Sequence, residues 1–120
     1  MTLTLSPDML AAAYDFLRTT PPFDQWSLPE SDDVKFKVSR SRKWFARYRW
    51  DGNRHTVEVS GNAVAYSDTL LAKMSHELIH MHLEELGMEG RGGPDTHSGA
   101  FRNLADEVCR CHGWDPKAFY

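Results

Sequence analysis

The sequence predicts an α+β fold made of one domain, residues 1–120. A small antiparallel three-stranded sheet packs on a central helix, and one helix precedes and another follows this unit. Three segments have apolar residues at the three- and four-residue spacing of an amphipathic helix, whereas residues 34–59 alternate as strands do. A chain of 120 residues can bury one core, and its 41% hydrophobic and 26% charged residues are typical of a soluble globular protein.

The first predicted helix begins at Ser6-Pro7-Asp8, where Ser6 can act as the cap and Pro7 fits the first turn. Its apolar face consists of Met9, Leu10, Ala13, Phe16 and Leu17. The helix ends before Thr19-Thr20-Pro21-Pro22, and residues 23–33 form a polar connection within the same domain.

Three predicted strands follow. Residues 34–38 alternate between apolar side chains and lysines, and similar runs cover residues 44–50 and 56–59. Asp51-Gly52-Asn53, between the second and third runs, is typical of a hairpin turn. The alternation gives the sheet one apolar face and one basic face. Four side chains are predicted on the basic face: Lys35, Lys37, Arg47 and Arg49.

The central helix contains His76-Glu77-Leu78-Ile79-His80. Residues four apart lie on one helix face, so both histidines can bind one metal ion, and Glu77 projects beside the metal's open position. Ser67 or Asp68 can cap this helix and Gly87 can end it. Its buried stripe is predicted to be Leu70, Met74, Leu78 and Met81.

A catalytic zinc ion needs three protein ligands and one position for water, so a third ligand is expected downstream. His97, seventeen residues after His80, is the preferred candidate, because the glycine-rich residues 87–95 can bring it back to the helix. Leucines occupy positions 83 and 86, where a metzincin requires Gly and His, so that class is excluded. Two carboxylates remain as alternatives: Asp95 and Glu107.

Glu77 has the position of a general base. Zinc lowers the pKa of a bound water to about 7, and Glu77 would take its proton as the hydroxide attacks a peptide carbonyl, then pass it to the leaving amine. We expect the substrate to lie as an added strand between the metal helix and the edge strand of the sheet. The second oxyanion donor is left open among three residues: Tyr66, Arg91 and Tyr120.

Residues 98–111 form the last predicted helix, which ends at Gly113-Trp114-Asp115-Pro116. Cys109 and Cys111 are two residues apart on it and should not form a disulfide. Three other histidines are predicted to be structural: His55, His82 and His112. There is neither a signal peptide nor a run of roughly 20 apolar residues, so we expect a cytoplasmic location and no membrane partner.

Taken together, these residues resemble the SprT-like metallopeptidase domain, the family that includes the Spartan DNA–protein crosslink proteases. The similarity covers residues 34–114, and its most specific parts are the two histidine motifs and Gly113-Trp114. It implies a compact zincin-like fold, one zinc ion on His76, His80 and His97, and Glu77 as the catalytic residue. The family commonly has His-Gly-Pro-x-Phe where this chain has His97-Ser98-Gly99-Ala100-Phe101, and this sequence resembles a minimal form without the cysteine zinc ribbon of many members.

The basic face makes nucleic acid a candidate partner. Residues 34–54 contain eight basic residues against one acidic residue, although the whole chain has a net charge of −3. Three functions therefore compete. The first is a zinc-dependent endopeptidase, with or without stimulation by DNA; the second is a nucleic-acid-binding module with a structural or vestigial zinc; the third is a regulatory protease that cleaves one partner protein. The sequence leaves the substrate and the oligomeric state open.

Overall fold

The computed structural model describes residues 5–62, 67–88 and 97–120. The predicted α+β class is confirmed, with helices packed on a small sheet. The strands are β1 (Val34–Ser39), β2 (Ala46–Trp50) and β3 (His55–Ser60). The helices are α1 (Pro7–Arg18), α2 (Ser67–Glu85), α3 (Gly99–His112) and the short α4 (Pro116–Phe119), with two 3₁₀ turns at Phe23–Gln25 and Ser31–Asp33.

The start of α1 is as predicted. The Ser6 side chain accepts a hydrogen bond from the Met9 amide at 3.2 Å, and Pro7 occupies the first helical position. Leu10 and Leu17 are fully buried on the face that packs against β1 and α2. A capped amphipathic helix thus covers one side of the sheet.

The sheet is mixed, in the order β1-β3-β2. β2 and β3 are antiparallel, but β1 runs parallel to β3, so the prediction of a wholly antiparallel sheet was wrong. Residues 40–45 link β1 to β2 and are long enough to leave room for one strand between them, since neighbouring strands lie about 4.8 Å apart. The hairpin then returns β3 into the space left between them, and β3 becomes the central strand.

The hairpin turn itself is as predicted. Oδ1 of Asp51 accepts hydrogen bonds from the amides of Asn53 and Arg54, both at 2.8 Å. Gly52 has φ of 91°, a value that side-chain-bearing residues rarely adopt. This turn fixes the register in which Trp50 faces His55.

Helix α2 lies at the centre of the molecule, in contact with α1, α3, α4 and the strands β2 and β3. The predicted stripe is confirmed as buried: Leu70, Met74, Leu78 and Met81 are at most 3% exposed. Gly87, with φ of 71°, follows the helix end as expected. The proposed caps Ser67 and Asp68 begin the helix, but their side chains lie outside the described part of the structure. Within the residues that the structure describes, no helix is long and apolar enough to cross a membrane.

The last two helices return the chain to α2. The Ser98 side chain caps α3 by accepting from the Phe101 amide, and Gly113, with φ of 75°, ends that helix. Helix α4 was not predicted from the sequence; Asp115 caps it by accepting from the Lys117 amide at 3.0 Å. This short helix places Phe119 and Tyr120 beside His76 of α2.

Candidate metal centre and the cleft beside it

The three predicted histidine ligands lie together. Nε2 of His76 and Nε2 of His97 are 3.2 Å apart, and one ring nitrogen from each of His76, His80 and His97 lies within 4.8 Å of the others. His76 and His80 meet because they are one turn apart on α2. His97 reaches them from the residue before the cap of α3.

This donor set fits a zinc ion. Two ligands of a tetrahedral zinc with Zn–N distances of about 2.0–2.1 Å lie about 3.3–3.4 Å apart, close to the 3.2 Å between His76 and His97. Nε2 is the ring nitrogen of His76 that lies near both His97 and Glu77. Three imidazole nitrogens around one point are a donor set that zinc prefers.

The aromatic ring of Phe101 supports all three histidines. Phe101 is fully buried, and its centroid lies 4.9 Å from that of His76, 4.6 Å from His80 and 4.5 Å from His97. Tyr48 of β2 stacks on His80 from the other side, at 6.4 Å and an interplanar angle of 4°. The ligand rings are thus held by packing between the sheet and α3.

The environment of His76 favours the neutral ring that a metal ion requires. The pKa of His76 is lowered to about 3, chiefly by burial and then by the neighbouring His80, His97 and Lys73, while a hydrogen bond to the backbone of Phe119 acts in the opposite direction. A neutral imidazole keeps a lone pair for the metal at every pH near neutrality.

Glu77 follows His76 on α2 and is only 5% exposed. Its Oε2 is 3.9 Å from Nε2 of His76. The carboxylate also lines a cleft of about 180 Å³ between α2 and the beginning of β2. A carboxylate that borders both the ligand atoms and an open cleft can exchange protons with a molecule bound there.

The cleft has aromatic walls and one cation. Its lining consists of Trp44, Phe45, Ala46, Lys73, His76, Glu77 and Tyr120. Lys73 donates a hydrogen bond to the Tyr120 carbonyl at 3.1 Å and lies 4.8 Å from the centroid of the Phe45 ring. Sequence reasoning missed Lys73, although its position one turn before Glu77 on the same helix was a usable signal.

The alternatives for ligand and oxyanion donor have different outcomes. Among the described residues, the three histidines form the one cluster with metal-ligand spacing, and Glu107 on α3 is not part of it. Tyr120 does lie at the site, with its ring centroid 5.1 Å from His97. Three candidates lie outside the described residues: Tyr66, Arg91 and Asp95.

The remaining histidines have structural surroundings, as predicted. His82 stacks on Trp26 at 4.4 Å, and His112 stacks on Trp114 at 4.8 Å. His55 is buried, with Nε2 2.6 Å from a carboxylate oxygen of Glu85. The two cysteines are free thiols, which confirms the absence of a disulfide between them.

The predicted basic face is present on the side of the sheet opposite α2. In the strand register, Lys35 and Arg49 flank Thr56, and Lys37 and Arg47 flank Glu58. Arg47 donates to Glu58 at 3.0 Å, while all four basic side chains are exposed. A concavity of about 420 Å³ lies on this side, bordered by Lys35, Lys37, Arg49 and Arg54 among others.

Comparisons of the chain with protein-family models, with curated proteins and with solved structures give no match. Its function is therefore inferred from the residues of the site. These are the three histidines, the buried Glu77 and the cleft that they border. The sequence spacing of the three histidines and Glu77 agrees with their arrangement in space.

Proposed function

We propose that this chain is a zinc-dependent endopeptidase of the SprT-like type. The observation that carries the proposal is the convergence of ring nitrogens from His76, His80 and His97 beside the buried carboxylate of Glu77. Three histidines and a neighbouring carboxylate at the edge of an open cleft are the groups that metal-assisted hydrolysis requires. The resemblance of the motifs to SprT-like metallopeptidases points to the same activity.

Each residue has a defined part in this proposal. The three histidines hold the zinc ion, which when bound polarises a carbonyl and lowers the pKa of water to about 7. Glu77 accepts the proton from the attacking water and delivers it to the leaving amine. Because Glu77 is 5% exposed, bulk water competes little for its carboxylate, which strengthens its interactions with groups in the cleft.

The edge of the sheet provides a place for an extended substrate. β2 pairs with β3 along one side and forms an outer edge of the three-stranded sheet. The cleft runs between the start of this strand, at Ala46, and the metal helix at Glu77. A peptide added along β2 would present its backbone to the metal centre, as the sequence analysis expects.

The test compares three purified variants with the wild type, using casein and self-cleavage as assays with added zinc. Glu77→Gln should bind zinc normally and lose cleavage, whereas His97→Ala should lose both. Glu107→Gln makes the same acid-to-amide change outside the histidine cluster and should retain both. Normal activity in Glu77→Gln would refute the proposal, and loss of zinc in Glu107→Gln would restore the carboxylate alternative.

A second candidate function is nucleic-acid binding by the basic face. It is favoured by the cross-strand arrangement of Lys35, Lys37, Arg47 and Arg49 on an exposed surface. Running the cleavage assay with and without single-stranded DNA separates the possibilities. DNA-dependent cleavage unites the two functions; DNA binding without any cleavage favours a binding module with a structural zinc. Cleavage of one partner protein alone favours the regulatory protease.

A further inference from the structure

The cation in the cleft has no part in the chemistry proposed so far. Lys73 lies one helical turn before Glu77 and lines the same cavity as Glu77 and His76. Its neighbours in that cavity are three aromatic side chains: Trp44, Phe45 and Tyr120. A lysine ammonium among aromatic walls can fix the orientation of a ligand that carries a negative charge.

The position of the Lys73 ammonium is restrained. It donates to the main-chain oxygen of Tyr120 at 3.1 Å and lies 4.8 Å from the centroid of Phe45. Burial lowers the pKa of Lys73, and Glu77 partly offsets this. The ammonium is thus held in a partly desolvated position at one side of the cavity, where a charge interacts more strongly than in open water.

The charges around the cleft favour an anion. Lys73 and Glu77 are the formally charged side chains in its lining, and they balance each other. A divalent cation at the histidines would add two positive charges and leave the cleft strongly positive. The cavity has a volume of about 180 Å³. At about 30 Å³ per water molecule it would hold about six waters, which is room for one amino-acid side chain.

We propose that this cleft is a substrate subsite in which Lys73 binds a carboxylate next to the scissile bond. The inference rests on the proposed peptidase function and names its substrate class: peptides that carry an acidic side chain at the residue entering the cleft. A terminal carboxylate at that residue would meet the same lysine, and the enzyme would then remove the last residue of a chain instead of cutting within it. Trp44, Phe45 and Tyr120 contact the apolar part of that residue. Lys73 is accordingly a specificity-determining residue, while Glu77 remains the catalytic one.

The test measures binding, so that it does not depend on turnover. Glu77→Gln is loaded with zinc and titrated with three peptides that have blocked ends and carry Glu, Gln or Lys at one position. A fourth peptide has the Gln sequence but ends at that Gln, so that the residue carries a free terminal carboxylate. We expect the Glu peptide, the free-carboxylate peptide or both to bind about tenfold more tightly than the blocked Gln peptide. The two carboxylate peptides distinguish a side-chain source from a chain end.

Substitutions at position 73 in the same Glu77→Gln background then test whether Lys73 is the residue that binds the carboxylate. Lys73→Met should abolish the preference and Lys73→Arg should retain it, whereas Lys73→Glu should favour the Lys peptide instead. Lys117→Met removes the same charge from an exposed position on α4 outside the cleft lining and should leave the preference unchanged. Thermal unfolding of each variant checks that it is folded.

The two proposals can fail separately. Equal binding of the Glu and Gln peptides and of the free-carboxylate peptide would overturn the inference even if casein is cleaved. Lys73→Met could also bind all peptides more weakly while the ratio of its affinities for the Glu and Gln peptides stays unchanged. That result would overturn the inference too, because it is expected if Lys73 only supports the structure of the cleft. A carboxylate preference that follows residue 73 in a protein without proteolytic activity would support the subsite and refute the peptidase.

Discussion

Nε2 of His76 and Nε2 of His97 lie 3.2 Å apart although 21 residues separate them in the chain. Both rings also contact the buried Phe101, so α2 and the start of α3 meet at this point through side chains that each offer a lone pair. Without a shared cation, two neutral imidazole nitrogens at this distance gain at most one hydrogen bond. The metal-free protein should therefore be weakest at this junction.

Zinc should stabilise the fold. A ligand that binds only the folded state at a hundredfold excess over its Kd adds about 2.7 kcal/mol, which corresponds to a rise in Tm of roughly 10 °C for a chain of this size. Scanning calorimetry with zinc and with a chelator measures the difference. His97→Ala should show almost no zinc-dependent shift, and an equal shift in this variant would mean that the ion binds elsewhere.

The metal-free protein should lose stability as the pH falls below about 6.5. The pKa of His76 is lowered to about 3 in the folded state, chiefly by burial, so between these values the unfolded chain binds a proton that the folded chain does not. The contribution is fully present above pH 6.5 and is lost towards pH 3, with a slope of up to about 1.4 kcal/mol per pH unit. Urea unfolding in chelator from pH 4 to 8 measures it.

The control for this pH dependence is His76→Gln, which cannot titrate. The wild type should lose stability relative to the variant on acidification, because carboxylates that titrate in the same range are common to both. Parallel curves for the two proteins would show that His76 takes up its proton equally well in the folded state.

Phe101→Leu should weaken zinc binding about tenfold while costing about 1 kcal/mol of stability. The ring contacts all three histidines, and a leucine fills most of its volume but orients them less well. Competition with a chromogenic chelator measures the affinity, and urea unfolding measures the stability. Phe16→Leu is the matched control, because Phe16 is 53% exposed and far from the site in α1. Unchanged zinc affinity in Phe101→Leu would reduce the ring to ordinary core packing.

If the basic face binds single-stranded DNA, the affinity should fall with salt, and Lys37→Gln should make the slope of log K against log salt shallower by about 0.7. Lys37 is exposed beside Glu58 on the open side of the sheet. Fluorescence anisotropy at several salt concentrations measures the slope. Lys117→Gln, an exposed lysine on α4, should leave the slope as in the wild type; identical changes in both variants would indicate a non-local charge effect.

The parts of the site that could be predicted depend on local geometry. His76 and His80 are one helical turn apart, and the cap at Ser98 marks the start of α3 just after His97, so their positions follow from short-range rules. The hairpin at Gly52 is equally local. The parallel pairing of β1 with β3 was missed because it joins segments about twenty residues apart, which alternation of apolar residues does not encode.

The cleft could not be predicted from the sequence. Phe45 and Lys73 come from different elements, and α4, which brings Tyr120 to them, has only four residues and too few apolar positions to show a period. Local patterns identify which residues can do chemistry, but the walls of a subsite arise from packing between distant segments. The spacing of Lys73 and Glu77 indicates a shared helix face, but the cleft that they line becomes visible only with Phe45 and Tyr120 in place.

The central position of β3 has a consequence for folding. Val34 pairs with His55 of β3, so β1 cannot join the sheet before β3 is available. We expect the β2–β3 hairpin to form early, since its turn closes a short loop, and β1 to add afterwards at the greater entropic cost of a longer loop. During synthesis, the first strand to leave the ribosome is therefore the last to find its place.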